Sequence, residues 1–94
     1  METRFDAAEC KVIMTILEAG SFSGAASELH YTQSGITHMM CRLEESLGFK
    51  LWQRKKNGVE LTKEGEELLP LVRRLLECYD ELNSLADKYA VKTE

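Results

Sequence analysis

The apolar residues of segment 21–47 fall at helical spacings in two short runs broken only at His30-Tyr31, and this pairing constrains the fold more than any other feature. Ser21 or Ser23 offers an N-cap for the first run, whose Ala25, Ala26 and Leu29 form a small-small-large contact surface. Paired alanines permit close helix crossing, and Phe22 just before them is placed to plug the core beneath the turn. Thr32 caps the second run, in which Ile36, Met40, Leu43 and Leu47 recur at spacings of four, three and four. This seam fixes what looks outward. At about 100° per residue, Ser34, Thr37, His38 and Cys41 cluster opposite it, with Gln33 at the exposed N-terminal edge.

The flanking segments complete the pattern. Phe5, Ala8, Val12, Ile13, Ile16 and Leu17 predict a first helix with one buried face, ended by Gly20. Gly48 closes the third helix, and Leu51-Trp52-Gln53-Arg54 begins an extended arm that turns at Asn57-Gly58 and returns through Val59-Glu60-Leu61. Leu51 and Leu61 face the core, while Arg54, Lys55 and Lys56 sit at the tip. Thr62 then caps a long helix with Glu64, Glu66 and Glu67 at its positive end, and Pro70 predicts a local kink. Beyond it Leu68, Val72, Leu75, Tyr79, Leu82, Ala86 and Tyr89 alternate spacings of four and three, a heptad seam suited to pairing with a second copy or a neighbouring domain, the plainer alternative being that it folds back on its own core. The fold expected is mainly α: a winged helix-turn-helix of three helices and a β-hairpin wing over residues 1–62, followed by a long C-terminal linker and dimerisation helix over residues 63–94.

A length of 94 residues allows one small domain or one domain with an extension. The net charge of -4 looks unfavourable for a nucleic-acid binder until it is resolved by segment. Between residues 50 and 63, Lys50, Arg54, Lys55, Lys56 and Lys63 face the single Glu60, a local +4 that leaves -8 for the rest. Phosphate contact follows the local field and counterion release, so a basic patch on an acidic chain still binds DNA, with marked salt sensitivity. The leading half of the third helix, free of Asp and Glu until Glu44 and Glu45, approaches phosphates without repulsion. No apolar run approaches the roughly 20 residues of a membrane span, and the N-terminus has no signal-peptide pattern, so a cytoplasmic location is expected.

Cys10, Cys41 and Cys78 are odd in number and widely spaced, which supports neither a disulfide framework nor a metal site. No cofactor is expected, and nothing resembles a catalytic carboxylate pair, a Ser-His-Asp order or a phosphate-cradling loop. Gly35, inside the third helix, costs about 1 kcal/mol relative to Ala. It marks either close approach to a DNA backbone or thymine methyl, or a tolerated residue in the first turn.

In combination these motifs resemble the N-terminal DNA-binding domain of LysR-type transcriptional regulators. The resemblance rests on Ser21-Phe22-Ser23-Gly24-Ala25-Ala26, on Thr32-Gln33 and Leu43-Glu44 with Leu47-Gly48, on Leu51-Trp52-Gln53-Arg54, and on Leu61-Thr62 with Gly65. Trp52 stands where the family usually has Phe, and Thr37 where Ser is usual. The resemblance implies recognition of double-stranded DNA without chemistry. Helix 32–47 enters the major groove, where Gln33 pairs with an adenine edge and Thr32, Ser34, Thr37 and His38 reach bases or phosphates. Ser21 and Ser23 point the second helix at a phosphate, and Arg54, Lys55 and Lys56 anchor wing 51–61 on the backbone or in the minor groove. It further implies a homodimer on a pseudopalindromic operator, with higher oligomers and a small-molecule effector belonging to a C-terminal domain for which 94 residues leave no room. An excised domain is therefore expected. The competing expectation is a winged-helix protein-interaction module, which has no need to combine a basic wing with an uncharged helix face.

Overall fold

The structure is a computed structural model that describes residues 5–90. Its elements follow in the order α1 (Ala7–Ala19), α2 (Phe22–Leu29), α3 (Gln33–Leu47), β1 (Trp52–Lys55), β2 (Gly58–Leu61) and α4 (Lys63–Tyr89). Each helix begins at a side-chain cap that satisfies an otherwise free backbone N–H. Asp6 and Glu9 form a reciprocal capping box on α1, and Ser21, Thr32 and Thr62 accept from the N–H groups of Gly24, Gly35 and Gly65 on α2, α3 and α4. Gly20 and Gly48 end α1 and α3 in the left-handed conformation, as their positions predict. At the turn between α2 and α3 that role falls to His30, at φ 62°, whose N–H returns to the end of α2.

Val12, Ile13 and Ile16 of α1 pack with Ala25 and Ala26 of α2 and with Ile36, Met40 and Leu43 of α3 in one core. Ala8 departs from the expected buried face of α1. It is exposed and lines an open groove with Leu76 and Tyr79 of α4, while Cys10 and Thr15 are buried instead. Phe22 lies half-buried, edge-on to Trp52 with ring centroids 6.2 Å apart, so it is a core plug. Trp52 is accommodated with its indole N–H donating to the Met40 sulfur at 3.4 Å, which gives the buried donor a partner.

The hairpin pairs Trp52 with Leu61 and Lys55 with Gly58, so the reversal is made by Lys56-Asn57, one residue earlier than the Asn-Gly signal predicts. Gly58 opens β2 at φ 150°. A Cβ there would collide with the Gly20 carbonyl oxygen, which accepts the Val59 N–H at 3.0 Å. The glycine serves close backbone approach between the wing and the α1–α2 junction rather than a two-residue Asn-Gly turn.

The long helix α4 runs unbroken through Pro70, which is exposed. It packs along α1, and its seam divides. Leu68 packs against the core and Val72 is buried at 7% exposure, whereas Leu75, Tyr79, Leu82, Ala86 and Tyr89 are exposed. Leu68 and Val72, expected in the pairing seam, thus turn toward their own domain, Val72 buried and Leu68 half-buried, because the first turns of α4 complete the fold of the preceding elements. Gly58→Ala is expected to destabilise the protein by about 1–3 kcal/mol, read as a lower urea midpoint, because it strains the backbone and breaks the contact with Gly20.

Candidate nucleic-acid interface

The apolar seam of α3 turns inward, and the opposite face of the helix is left without cover. Gln33, Ser34, Thr37, His38 and Cys41 line one shallow surface on it, with Thr37 half-buried and the other four exposed. Gln33 and Thr37 also line a cleft between α3 and the wing, together with Ser21, Ser23, Lys50 and Arg54. The structure thus brings residues from the start of α2, the face of α3 and strand β1 to one concave surface.

Two of the hydroxyls have a structural duty as well. Ser21 Oγ accepts the Gly24 N–H at 3.0 Å and Thr32 Oγ1 accepts the Gly35 N–H at 3.0 Å. A hydroxyl that accepts through a lone pair keeps its proton to donate, so capping and donation to an outside acceptor are compatible. Ser23 and Ser34 stand 3.5 and 3.3 Å from these capping oxygens, close enough to share protons with them. An added Cβ at Gly35 would meet Thr32 Oγ1 at 3.0 Å, so crowding of the cap is a third reason for the glycine.

Lys55 and Lys56 lie outside the cleft, exposed at the tip of the hairpin. Arg54 is exposed in mid-strand opposite Val59. Lys50 and Glu44 were not singled out as site residues from sequence, yet both line the cleft. Lys50 is almost free in solvent, with its Nζ 3.9 Å from Glu44 Oε1. Its membership in the basic run signalled it, whereas Glu44 reaches the site only because the chain folds back after Gly48. His38 also lines a second groove that carries Asp6, Glu9 and Arg42. Among the described residues, no group of three His, Cys, Asp or Glu side chains is arranged to hold a metal ion, and no helix is long and apolar enough to cross a membrane.

The chain belongs to the lysR family of bacterial regulatory helix-turn-helix proteins, whose family pattern matches residues 8–66. It is 44% identical over 66 residues to the HTH-type transcriptional regulator MetR of Buchnera aphidicola subsp. Schizaphis graminum (strain Sg), a match that covers 70% of this chain and 21% of that protein. Its fold is similar to that of the CbnR DNA-binding domain in complex with DNA, with a TM-score of 0.81, 33% identity, and coverage of 93% of this chain and 100% of that one. The BenM DNA-binding domain bound to its benA site 1 DNA gives a TM-score of 0.84 at 26% identity, covering 95% of this chain and 100% of that one. The chain spans roughly a fifth to a quarter of the length of the curated relatives it matches.

The three thiols differ in environment. Burial pushes the Cys10 thiol up, and the nearby carboxylates of Asp6 and Glu9 act in the same direction, while Cys41 and Cys78 are exposed. The thiolate is the reactive form. Native protein treated with iodoacetamide at pH 8 is therefore expected to be alkylated at Cys41 well before Cys10, as read by peptide mass spectrometry, with the difference abolished in denaturant.

Proposed function

We infer that this chain is the DNA-binding part of a LysR-type transcriptional regulator and recognises double-stranded DNA by sequence. One observation carries the reading: a hydroxyl-and-amide helix face and a basic strand line the same cleft, with a capped helix start beside them. In this reading α3 enters the major groove, where Gln33 pairs bidentately with an adenine edge and Ser34, Thr37 and His38 contact bases or phosphates. Ser21, Ser23 and Thr32 donate hydroxyl protons to phosphates, and the free N–H groups at the start of α2 add favourable partial charge. Arg54 grips the strand beside the groove, with Lys55 and Lys56 reaching further along the backbone. The protein acts by binding, with no chemical step and no cofactor, in the cytoplasm. The effector of the whole regulator would bind outside residues 1–94.

Two copies joined through α4 would set two reading helices on a pseudopalindromic operator. The apolar residues left exposed on α4 support this. Leu71 and Leu85 join Leu75, Tyr79, Leu82 and Tyr89 on one side of the helix, and residues 71, 75, 78, 82, 85 and 89 keep alternate spacings of four and three. In this reading the chain divides by function at residue 62, into a reading unit and the pairing helix that follows it.

Selection of bound sequences from a random duplex pool is the direct test, and an enriched motif with two-fold character is the expected result. On the selected duplex, Gln33→Ala should cost about 1 to 3 kcal/mol while leaving nonspecific affinity nearly intact. Lys55→Ala should weaken all sequences alike and flatten the dependence on salt. Equal losses from both variants on every sequence would count against base reading by Gln33. Leu75→Glu should convert dimers to monomers in sedimentation velocity, and a wild-type chain that is already monomeric would overturn pairing through this helix.

A further inference from the structure

We propose that Glu44 is a positioning residue for DNA binding, which fixes the reach of the wing by tying the start of β1 to the reading helix. The proposal rests on the DNA-binding reading above. Glu44 projects from the C-terminal half of α3, and its side chain is only 10% exposed. One carboxylate oxygen, Oε2, accepts both the Leu51 N–H at 2.7 Å and the Trp52 N–H at 3.1 Å. The other stands 3.9 Å from Lys50 Nζ.

A carboxylate is the least welcome group in a cleft meant for phosphates. Its presence there calls for a structural return, and the two backbone bonds supply it, since hydrogen bonds to an ionised acceptor are about twice as strong as neutral ones. The bonds fall where the chain enters the hairpin. The Leu51 carbonyl accepts the Thr62 N–H at 2.9 Å, which joins the two ends of the wing to each other but not to α3. On the far side, Val59 N–H bonds the Gly20 carbonyl and ties β2 to the α1–α2 junction. Beside the Trp52 indole N–H on the Met40 sulfur, a side-chain contact inside the core, Glu44 attaches the backbone of the hairpin's start to the helix that carries Gln33 and Thr37. Arg54 lies three residues beyond Leu51, a lever of about 10 Å at the rise of a strand. A small rotation at the attachment would therefore swing the guanidinium across the width of a phosphate contact. Fixing it places base reading and strand gripping in one rigid frame.

The test is a double-mutant cycle by fluorescence anisotropy on the selected duplex, with wild type, Glu44→Ala, Arg54→Ala and the double variant, and Glu44→Gln as the conservative replacement. Glu44→Ala is expected to weaken binding about tenfold and to leave Arg54→Ala with little further effect, a strong departure from additivity. Glu44→Gln should recover most of the loss, because its amide oxygen can accept both N–H groups. Circular dichroism and urea unfolding establish that each variant is folded, and should Glu44→Ala not fold, Glu44→Asp, one methylene too short to reach both donors, takes its place in the cycle. Additive losses overturn the proposal, since a general effect on stability would not depend on Arg54. Tighter binding by both Glu44→Ala and Glu44→Gln also overturns it, as that would make the carboxylate a source of repulsion alone. Wild-type protein that binds no duplex at low salt would instead overturn the DNA-binding reading itself.

Discussion

Packing of Ile36, Met40 and Leu43 against the α1 side chains and the Ala25-Ala26 pair fixes the rotation of α3 about its own axis. A slip of one residue would turn the helix by about 100° and bring polar side chains into the core. Burying each large aliphatic contributes about 1.5–3 kcal/mol, so such a slip would cost more than the roughly 1 kcal/mol available from any helix cap. The caps and the seam agree here, and their agreement makes one register dominant. The outward face of Gln33, Ser34, Thr37 and His38 is thus set by what lies behind it.

The hairpin is held by a different kind of force. Leu51, Trp52 and Leu61 of the wing are buried and Val59 packs half-buried against the core, so its apolar anchorage weakens toward the tip. Backbone bonds supply the remainder, through Gly20 on one side and Glu44 on the other. The arrangement lets the exposed part of the wing carry charge freely. An acidic protein can then present a basic edge at one place, while most of its negative charge belongs to other segments of the chain.

Much of the fold was legible because local rules and core packing point the same way. Ser21, Thr32 and Thr62 cap the helices they precede, Gly20 and Gly48 end theirs, and of the α3 seam Ile36, Met40 and Leu43 are buried with Leu47 half-buried against the same core. Legibility failed where a contact spans elements distant in sequence. The Asn57-Gly58 pair reads as the centre of a turn, but the approach of Gly20 draws Gly58 into the strand. Ala8 fits the periodicity of α1, yet the neighbouring α4 leaves its side open to solvent. Leu68 and Val72 fit the heptad of α4, and proximity to the domain takes them inward. Among the site residues, the α3 face was legible from angle alone, whereas Glu44 was seen only as part of a motif.

Residue order by itself determined the helices, their caps, the side of α3 that faces outward and the sign of the charge on the wing, because each depends on neighbours within about two helical turns. The tertiary structure decided which half of the α4 seam remains exposed, where the hairpin reverses and what holds the wing to α3. Those outcomes depend on which backbone groups meet across the fold, and residue spacing along the chain does not encode such distances.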